Sequence, residues 1–440
     1  MPRAAALALA LGFGLGCGET PDAVEGRPWL PADVAPKLIA LSPAELPPPP
    51  PDVTNGYADD PRAQALGQKL FFDPRFSGPL LDRDNTGAPG TLGLKGEVGK
   101  VACASCHDPR AGFSDVRSPR RQISLASGWT RRRSPALLDF GQASVLNWDG
   151  RHDTAYNQVF GVIESPLEFN SSRLFVAQQI IQFYKDEYEA IFGPLPDLSA
   201  YAPLGPEDAG CATMPSDPMS ERCLKPGHDD DAVIRVVVNM GKAIGAYERL
   251  LTCGPSRFDA WVNSDPNALT AEEQAGAALF VHVGCDDCHA GPYLTDQRFY
   301  NVGAANHLVN FIAPFDDPGA AMGISAARAD RLNASGPFSD GDDGRLEAFT
   351  QSTEELRGAF RTPTLRCVSG RPSFLHAGQL RSLEDAVAFF NRGGDPAGFQ
   401  GVRDTRMVPL GLNAEQRAQL VAFLRALDGQ GPPPELLEAP

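Results

Sequence analysis

Apolar positions along this chain recur mostly at helical spacing. Val233, Val237, Met240, Ile244, Tyr247 and Leu251 step by four and three residues, which predicts one buried helical face after the acidic start Asp229–Asp231. Thr270 with Glu273 reads as a capping box, in which hydroxyl and carboxylate close the first turn reciprocally, and predicts a helix to about His282. Asn413 with Gln416 repeats the signal before Leu420, Val421, Leu424 and Leu427, and Asp428-Gly429 stops that helix. Ser382 starts a shorter one whose inner face is Leu383, Val387 and Phe390, and Asp60-Pro61 marks the start of folded structure. Alternating strand patterns are few and short. The predicted class is mainly α with long loops. Helices ending in Leu70-Phe71-Phe72 and in Leu279-Phe280 each precede a cysteine cluster, so the body reads as two related units.

The ends read differently. Arg3 is followed by an apolar or Gly run from Ala4 to Gly16, too short to span a bilayer as a helix but suited to a signal-peptide core over residues 1–16. Leu15-Gly16-Cys17 resembles a lipoprotein cleavage box, with Gly14 where that box prefers Leu, so Cys17 is a candidate lipid anchor; an ordinary signal cut further on is the alternative. The expectation is an exported, periplasmic protein. Residues 17–55, with the run Pro47–Pro51, read as a stiff spacer. The first unit is expected over 56–250, with the 410–428 helix packing back on it, the second over 251–409, and a Pro-rich tail over 429–440.

Composition narrows the class. Of 440 residues, 42% are hydrophobic and 21% charged, which excludes a disordered or fibrous chain. Lys and Arg number 39 against 55 Asp and Glu, a net charge of -16 that argues against nucleic acid and anionic membrane as partners.

The nine cysteines carry the chemistry. Cys103-Ala104-Ser105-Cys106-His107 and Cys285-Asp286-Asp287-Cys288-His289 are both C-x-x-C-H, the attachment pattern of c-type haem. Two thiols add across the haem vinyl groups, and the adjacent His is thereby placed under the iron as axial ligand. Two C-x-x-C pairs could instead share a zinc ion, or one could be a redox dithiol, but neither explains a His directly after both pairs. With Cys17 set aside, Cys211, Cys223, Cys253 and Cys367 remain, an even number in an oxidising compartment. Cys211–Cys223 is a natural short-loop disulfide and Cys253–Cys367 the remaining pair; free buried thiols are the alternative.

The segment between the motifs contains Trp148-Asp149-Gly150-Arg151, then Gln158, then Glu164-Ser165-Pro166-Leu167-Glu168. Around it stand Leu66-Gly67-Gln68-Lys69-Leu70-Phe71, Phe360-Arg361-Thr362-Pro363-Thr364-Leu365-Arg366 and Phe374-Leu375-His376-Ala377-Gly378. Together, in this order, these blocks resemble the bacterial di-haem cytochrome c peroxidase and MauG superfamily over residues 56 to 428. The resemblance implies two c-type cytochrome domains with haems either side of their interface, and it admits a homodimer. It implies that His107 and His289 are the proximal iron ligands, Glu168 the distal proton shuttle and Gln158 its companion. Trp148 is then the bridge between haems, and His376 lies beside the second haem. A carboxylate over an open iron suits heterolysis of peroxide, because one oxygen must lose a proton and the other gain it.

Three departures from the family stand out. Between Asp108 and Gly150 there is no His, so the first iron is expected to be open without a reductive switch. Fourteen residues after His376, where peroxidases have Met and MauG has Tyr, stands Phe390, which cannot bind iron; Met407 is the nearest alternative, with core packing as its ordinary role. The family's calcium-binding Asn corresponds to Arg133, with Arg371 near the other ligand positions, so calcium is disfavoured. Among the other histidines, His152 and His228 read as solvated surface groups, and His282 and His307 as remote candidates for a sixth ligand. The expected activity is reduction of hydrogen peroxide to water with electrons from a small periplasmic cytochrome c or cupredoxin. The alternatives are MauG-like oxidation of a protein or small-molecule substrate and a non-enzymatic electron-transfer protein.

Overall fold

The computed structural model describes residues 26–117, 123–210, 226–305 and 317–440. The signal segment, Cys17, the Cys211–Cys223 pairing and His307 lie outside them. The first helices are α1 (Ala35–Leu41), α2 (Pro61–Phe72), α3 (Cys103–Cys106), α4 (Ala155–Glu164), α5 (Arg173–Phe183) and α6 (Lys185–Phe192). Then come α7 (Asp231–Glu248), α8 (Arg257–Asn263), α9 (Ala271–His282), α10 (Ala320–Ala329), α11 (Thr353–Leu356), α12 (Leu383–Asn391) and α13 (Ala414–Arg425). A short antiparallel ladder joins β1 (Phe299–Tyr300) to β2 (Phe360–Arg361), pairing Phe299 with Arg361 and Tyr300 with Phe360. Among the described residues no helix is long and apolar enough to cross a membrane.

Two main cores form. In the first, α7 runs between α2, α4 and α5. Periodicity predicts one buried face for it, yet Val233, Ile234 and every residue from Val236 to Glu248 are buried. Glycines explain the close approach. A Cβ on Gly241 would lie 2.5 Å from the Tyr156 Cα of α4, and one on Gly67 of α2 would lie 1.9 Å from the Ala243 carbonyl oxygen. The second core joins α8, α9, α12 and α13, and here a Cβ on Gly276 of α9 would lie 2.0 Å from the Gln419 carbonyl oxygen of α13. Gly67 and Gly276 sit at the same place in a shared pattern, Gly-x-x-Leu-Phe, whose Phe71 and Phe280 are both buried. The two units therefore repeat one helix crossing, with α13 as the counterpart of α7. The capping boxes at Thr270 and Asn413 form as expected.

That correspondence corrects the expected organisation. Helix α13 packs on α9 rather than returning to the first unit. The tail returns instead: Gln68 Nε2 donates to the Glu435 and Glu438 carbonyls at 2.6 and 2.9 Å, and the Tyr247 hydroxyl to that of Leu436 at 2.5 Å. The stretch read as a spacer is partly body. Leu30, Val34, Leu38 and Leu41 enter the second core, and Trp29 Nε1 donates to the Trp261 carbonyl at 2.8 Å. By Asn55, whose amide donates to the Lys242 carbonyl at 2.9 Å, the chain has crossed to the first unit. Leu332 and Phe338, expected in the second unit, belong to the first core. On α12 the buried aromatic is Phe389, with Phe390 only half-buried, and the amides of Gly393 and Gly394 close the last turn on the Phe390 and Phe389 carbonyls. Cys253 and Cys367 form the expected disulfide, with Cα atoms 5.7 Å apart.

Candidate active site

Each C-x-x-C-H motif presents an oriented imidazole. His107 Nδ1 lies 3.0 Å from the Phe113 carbonyl oxygen and His289 Nδ1 lies 2.9 Å from that of Leu294. A carbonyl only accepts, so Nδ1 carries the proton in both rings and Nε2 keeps its lone pair for a metal. Phe113 and Leu294 are both fully buried and both left-handed, at φ of 59° and 52°, a conformation uncommon outside glycine that aims each carbonyl back at its ring. Burial holds His107 neutral, its pKa pushed down to about 4, and lowers that of His289 as well. Cys103, Cys106, Cys285 and Cys288 take no part in a disulfide. Cys103 and Cys106 pack on the first core and Cys285 on the second, so the two pairs cannot share one zinc ion.

Cys103, Cys106 and His107 open onto a cavity whose walls include Trp148, Gln158 and Glu168, with Tyr293 and Pro363 from the second unit. Gln158 rides on α4, whose N-terminus Thr154 caps by accepting from Asn157 N at 3.2 Å. Glu168 sits in the turn after α4, its amide donating to the Ser165 carbonyl and its own carbonyl accepting from Ser127 N, both at 3.1 Å. The Glu164–Glu168 segment thus holds two carboxylates with different fates. Glu164 is buried and gripped by both ends of the Arg173 guanidinium at 2.7 Å, while Glu168 faces the cavity. Trp148 is fixed between the units: Nε1 donates to the Arg133 carbonyl at 2.9 Å, and its carbonyl accepts from Arg361 N at 2.8 Å.

The same cavity is lined by the guanidinium residues Arg133, Arg361 and Arg371. Arg133 donates to the Ser373 carbonyl and to Ser114 Oγ, Arg361 to Gln297 Oε1 and the Asn147 carbonyl, and Arg371 to the Arg366 carbonyl. These partners are neutral, Arg371 Nε has none, and among the described residues none of the three makes an ion pair. Burial pulls Arg133 down to about 9 and Arg361 and Arg371 to about 10, with Arg371 repelling the other two. Buried cations with little counter-charge are costly; Asp139 acts favourably on Arg371 and Asp115 on Arg133 from a distance, and a bound haem would bring carboxylates to this cavity. Paired thiols, a neutral imidazole with free Nε2 and unpaired cations along one cavity together fit a covalently attached c-type haem. Sequence reasoning assigned no role to Arg361, nor to Asp139, Gln142 and Glu248, which line the cavity too. Burial raises Asp139 to about 6 and Glu248 to about 8.

His376 is buried between the units, its ring stacked on Phe360 with centroids 3.6 Å apart and its carbonyl accepting from Arg133 N at 2.9 Å. Two expectations about other histidines fail. His152 is only 4% exposed, lies against Gly161 and is held neutral by burial. His228 lies 3.8 Å from Glu164 in the Arg173 cluster rather than free in solvent. His282 is half-exposed and bonded to Asp33 at 2.7 Å, which removes it from any iron. Met407 is half-buried, its amide donating to the Asp404 carbonyl.

A family model for di-haem cytochrome c peroxidase matches residues 61–267. Cytochrome-c peroxidase IdrP1 of Denitromonas iodatirespirans is 28% identical, over 87% of this chain and 85% of its own length. Methylamine utilization protein MauG of Methylorubrum extorquens is 27% identical, over 84% and 79%. Cytochrome c551 peroxidase of Pseudomonas aeruginosa is 26% identical, over 83% and 79%. The diheme peroxidase BthA of Burkholderia thailandensis shares the fold, with a TM-score of 0.57 at 23% identity over 84% of this chain and 87% of that one.

Proposed function

We propose that this chain, which belongs to the di-haem cytochrome c peroxidase family, reduces hydrogen peroxide to water with electrons from a small cytochrome c or cupredoxin. The observation that carries the reading is the convergence of Glu168, Gln158 and Trp148 on the cavity into which His107 and its two thiols open. When bound, the first haem supplies the iron position at which peroxide is reduced. His107 offers Nε2 toward it, held by the Phe113 carbonyl. Glu168 takes the proton from one peroxide oxygen and returns it to the other, and the Gln158 amide orients the peroxide between them. Trp148, pinned by the Arg133 carbonyl, carries electrons between the units. Arg133 and Arg371 disfavour a calcium ion between the domains, since a buried cation beside two guanidiniums is unfavourable.

The absence of a Tyr at position 390 favours peroxide reduction over a MauG-like oxidation of another protein. The apolar run Ala4–Gly16 supports export to the periplasm, with Cys17 as a lipid site. The test is steady-state peroxide consumption by the haem-loaded protein with reduced small cytochromes and cupredoxins as donors. Glu168→Gln is expected to lower kcat/KM for peroxide by about 100-fold or more at unchanged haem content. Donor oxidation that ignores this substitution, or no turnover with any donor, overturns the reading.

A further inference from the structure

Residues 296–301, which follow the second C-x-x-C-H motif in the chain, line a cleft of about 640 Å³, a size at which small molecules bind, walled also by Phe349, Glu355, Arg403 and Arg406. Its lining includes Tyr300 and Asp296. The Tyr300 hydroxyl donates to Asp296 Oδ2 at 2.5 Å, and the Arg406 guanidinium lies 4.3 Å from the ring centroid. Arg406 is itself paired with Asp404 at 2.8 Å. Asp296 N donates to the Cys288 carbonyl at 3.0 Å, so the Tyr–Asp pair is built onto the turn that carries the second attachment site. Backbone pairing of Tyr300 with Phe360 continues toward the domain interface, where Phe360 stacks on His376. None of these groups is used in the peroxide chemistry assigned to the first cavity.

We propose that Tyr300 is a one-electron relay between a small reductant bound in this cleft and the second haem, with Asp296 as its proton acceptor. The inference rests on the peroxidase reading, which supplies the oxidant: a haem centre oxidised by peroxide. In the forward half Tyr300 loses one electron to that centre and its phenolic proton passes to Asp296 Oδ2, leaving a neutral tyrosyl radical. In the return half the reductant gives up one electron, the radical accepts it, and the proton moves back from Asp296. Two such cycles match the two electrons that reduce one peroxide to two waters. The geometry favours this over simple packing for two reasons. Removing an electron without the proton would put positive charge on a ring already facing Arg406, which is unfavourable. A carboxylate at hydrogen-bond distance relieves that charge as it develops, so loss of electron and proton together is favoured over loss of the electron alone.

The test is rapid-freeze electron paramagnetic resonance of the haem-loaded protein mixed with one equivalent of hydrogen peroxide and no donor. A tyrosyl signal is expected, its hyperfine structure collapsing when tyrosines are ring-deuterated and its lifetime shortened by hydroquinone as the probe reductant. Tyr300→Phe is expected to abolish it, Tyr201→Phe, which removes a hydroxyl bonded to Asp230 outside both cavities, to leave it, and Asp296→Asn to slow its formation about tenfold or more. Haem content equal to wild type in Tyr300→Phe excludes misfolding. A signal that survives Tyr300→Phe, or no tyrosyl signal although the first haem has reacted, overturns the relay and leaves the peroxidase reading standing. Haems that do not respond to peroxide at all overturn both.

Discussion

Arg366→Met probes the support of the second haem site. The Arg366 side chain is fully buried. Its two Nη atoms meet both Asp259 oxygens at 2.8 and 2.9 Å, and Nε donates to the Pro292 carbonyl at 2.6 Å, in the loop just after His289. Asp259 also caps α8, accepting from Ser256 N and Oγ, and accepts from Ser42 Oγ, each at 2.7 Å. Burial alone would raise the Asp259 carboxyl, but Arg366 holds it below its ordinary value of 3.8. Methionine roughly fills the space yet leaves Asp259 charged among neutral donors, a loss of about 3–5 kcal/mol. Adding Asp259→Asn removes the orphaned charge, so the double variant is expected to be more stable than Arg366→Met by about 1 kcal/mol or more. Because the folded pKa is depressed, the pair's contribution is present at neutral pH and is lost as pH falls below 3.8 through the folded value. The gap between wild type and Arg366→Met therefore narrows in acid. The assay is guanidinium chloride unfolding of the haem-loaded protein, read at the second haem's absorbance. A single variant within about 1 kcal/mol of wild type, or a double variant no better than the single, refutes the argument.

Two further outcomes follow from the packing and the charges. Gly276→Ala places a Cβ 2.0 Å from the Gln419 carbonyl and is expected to cost about 1–3 kcal/mol in thermal or chemical unfolding, whereas Gly370→Ala, with nothing within 4 Å, is expected to be neutral. Glu248, raised by burial from 4.5 to about 8, keeps its proton in the folded state over a range where the unfolded chain has lost it. Stability therefore falls by about 1.4 kcal/mol per unit as pH rises through that range, and Glu248→Gln is expected to flatten the profile, gaining at pH 8 and not at pH 4; parallel profiles would contradict this.

What the sequence discloses is what depends on neighbours in the chain. The boxes at Thr270 and Asn413 involve residues three apart, and each C-x-x-C-H delivers its own imidazole, so both were legible. Cys253–Cys367 was reachable once the haem thiols and the short-loop pair were set aside. The Gly-x-x-Leu-Phe pattern was visible as two Leu-Phe endings, but its glycines gain meaning only against Ala243 and Gln419, which lie far away in the chain. The same distance hid the docking of α1 in the second core. It also hid the return of the tail to Gln68. At the site, Trp148, Gln158 and Glu168 were nameable from the resemblance of their segment to the di-haem peroxidase family. The unpaired state of Arg361 and the raised carboxyl of Glu248 depend on burial, which no local pattern encodes.

The role proposed for Glu168 requires that the iron His107 would hold is open to peroxide. Low-temperature electron paramagnetic resonance of the oxidised, haem-loaded protein, before and after cyanide, tests it most directly. The expected result is a high-spin ferric signal that cyanide converts to low-spin. Two low-spin signals unmoved by cyanide, even after partial reduction, would contradict it and leave an electron carrier.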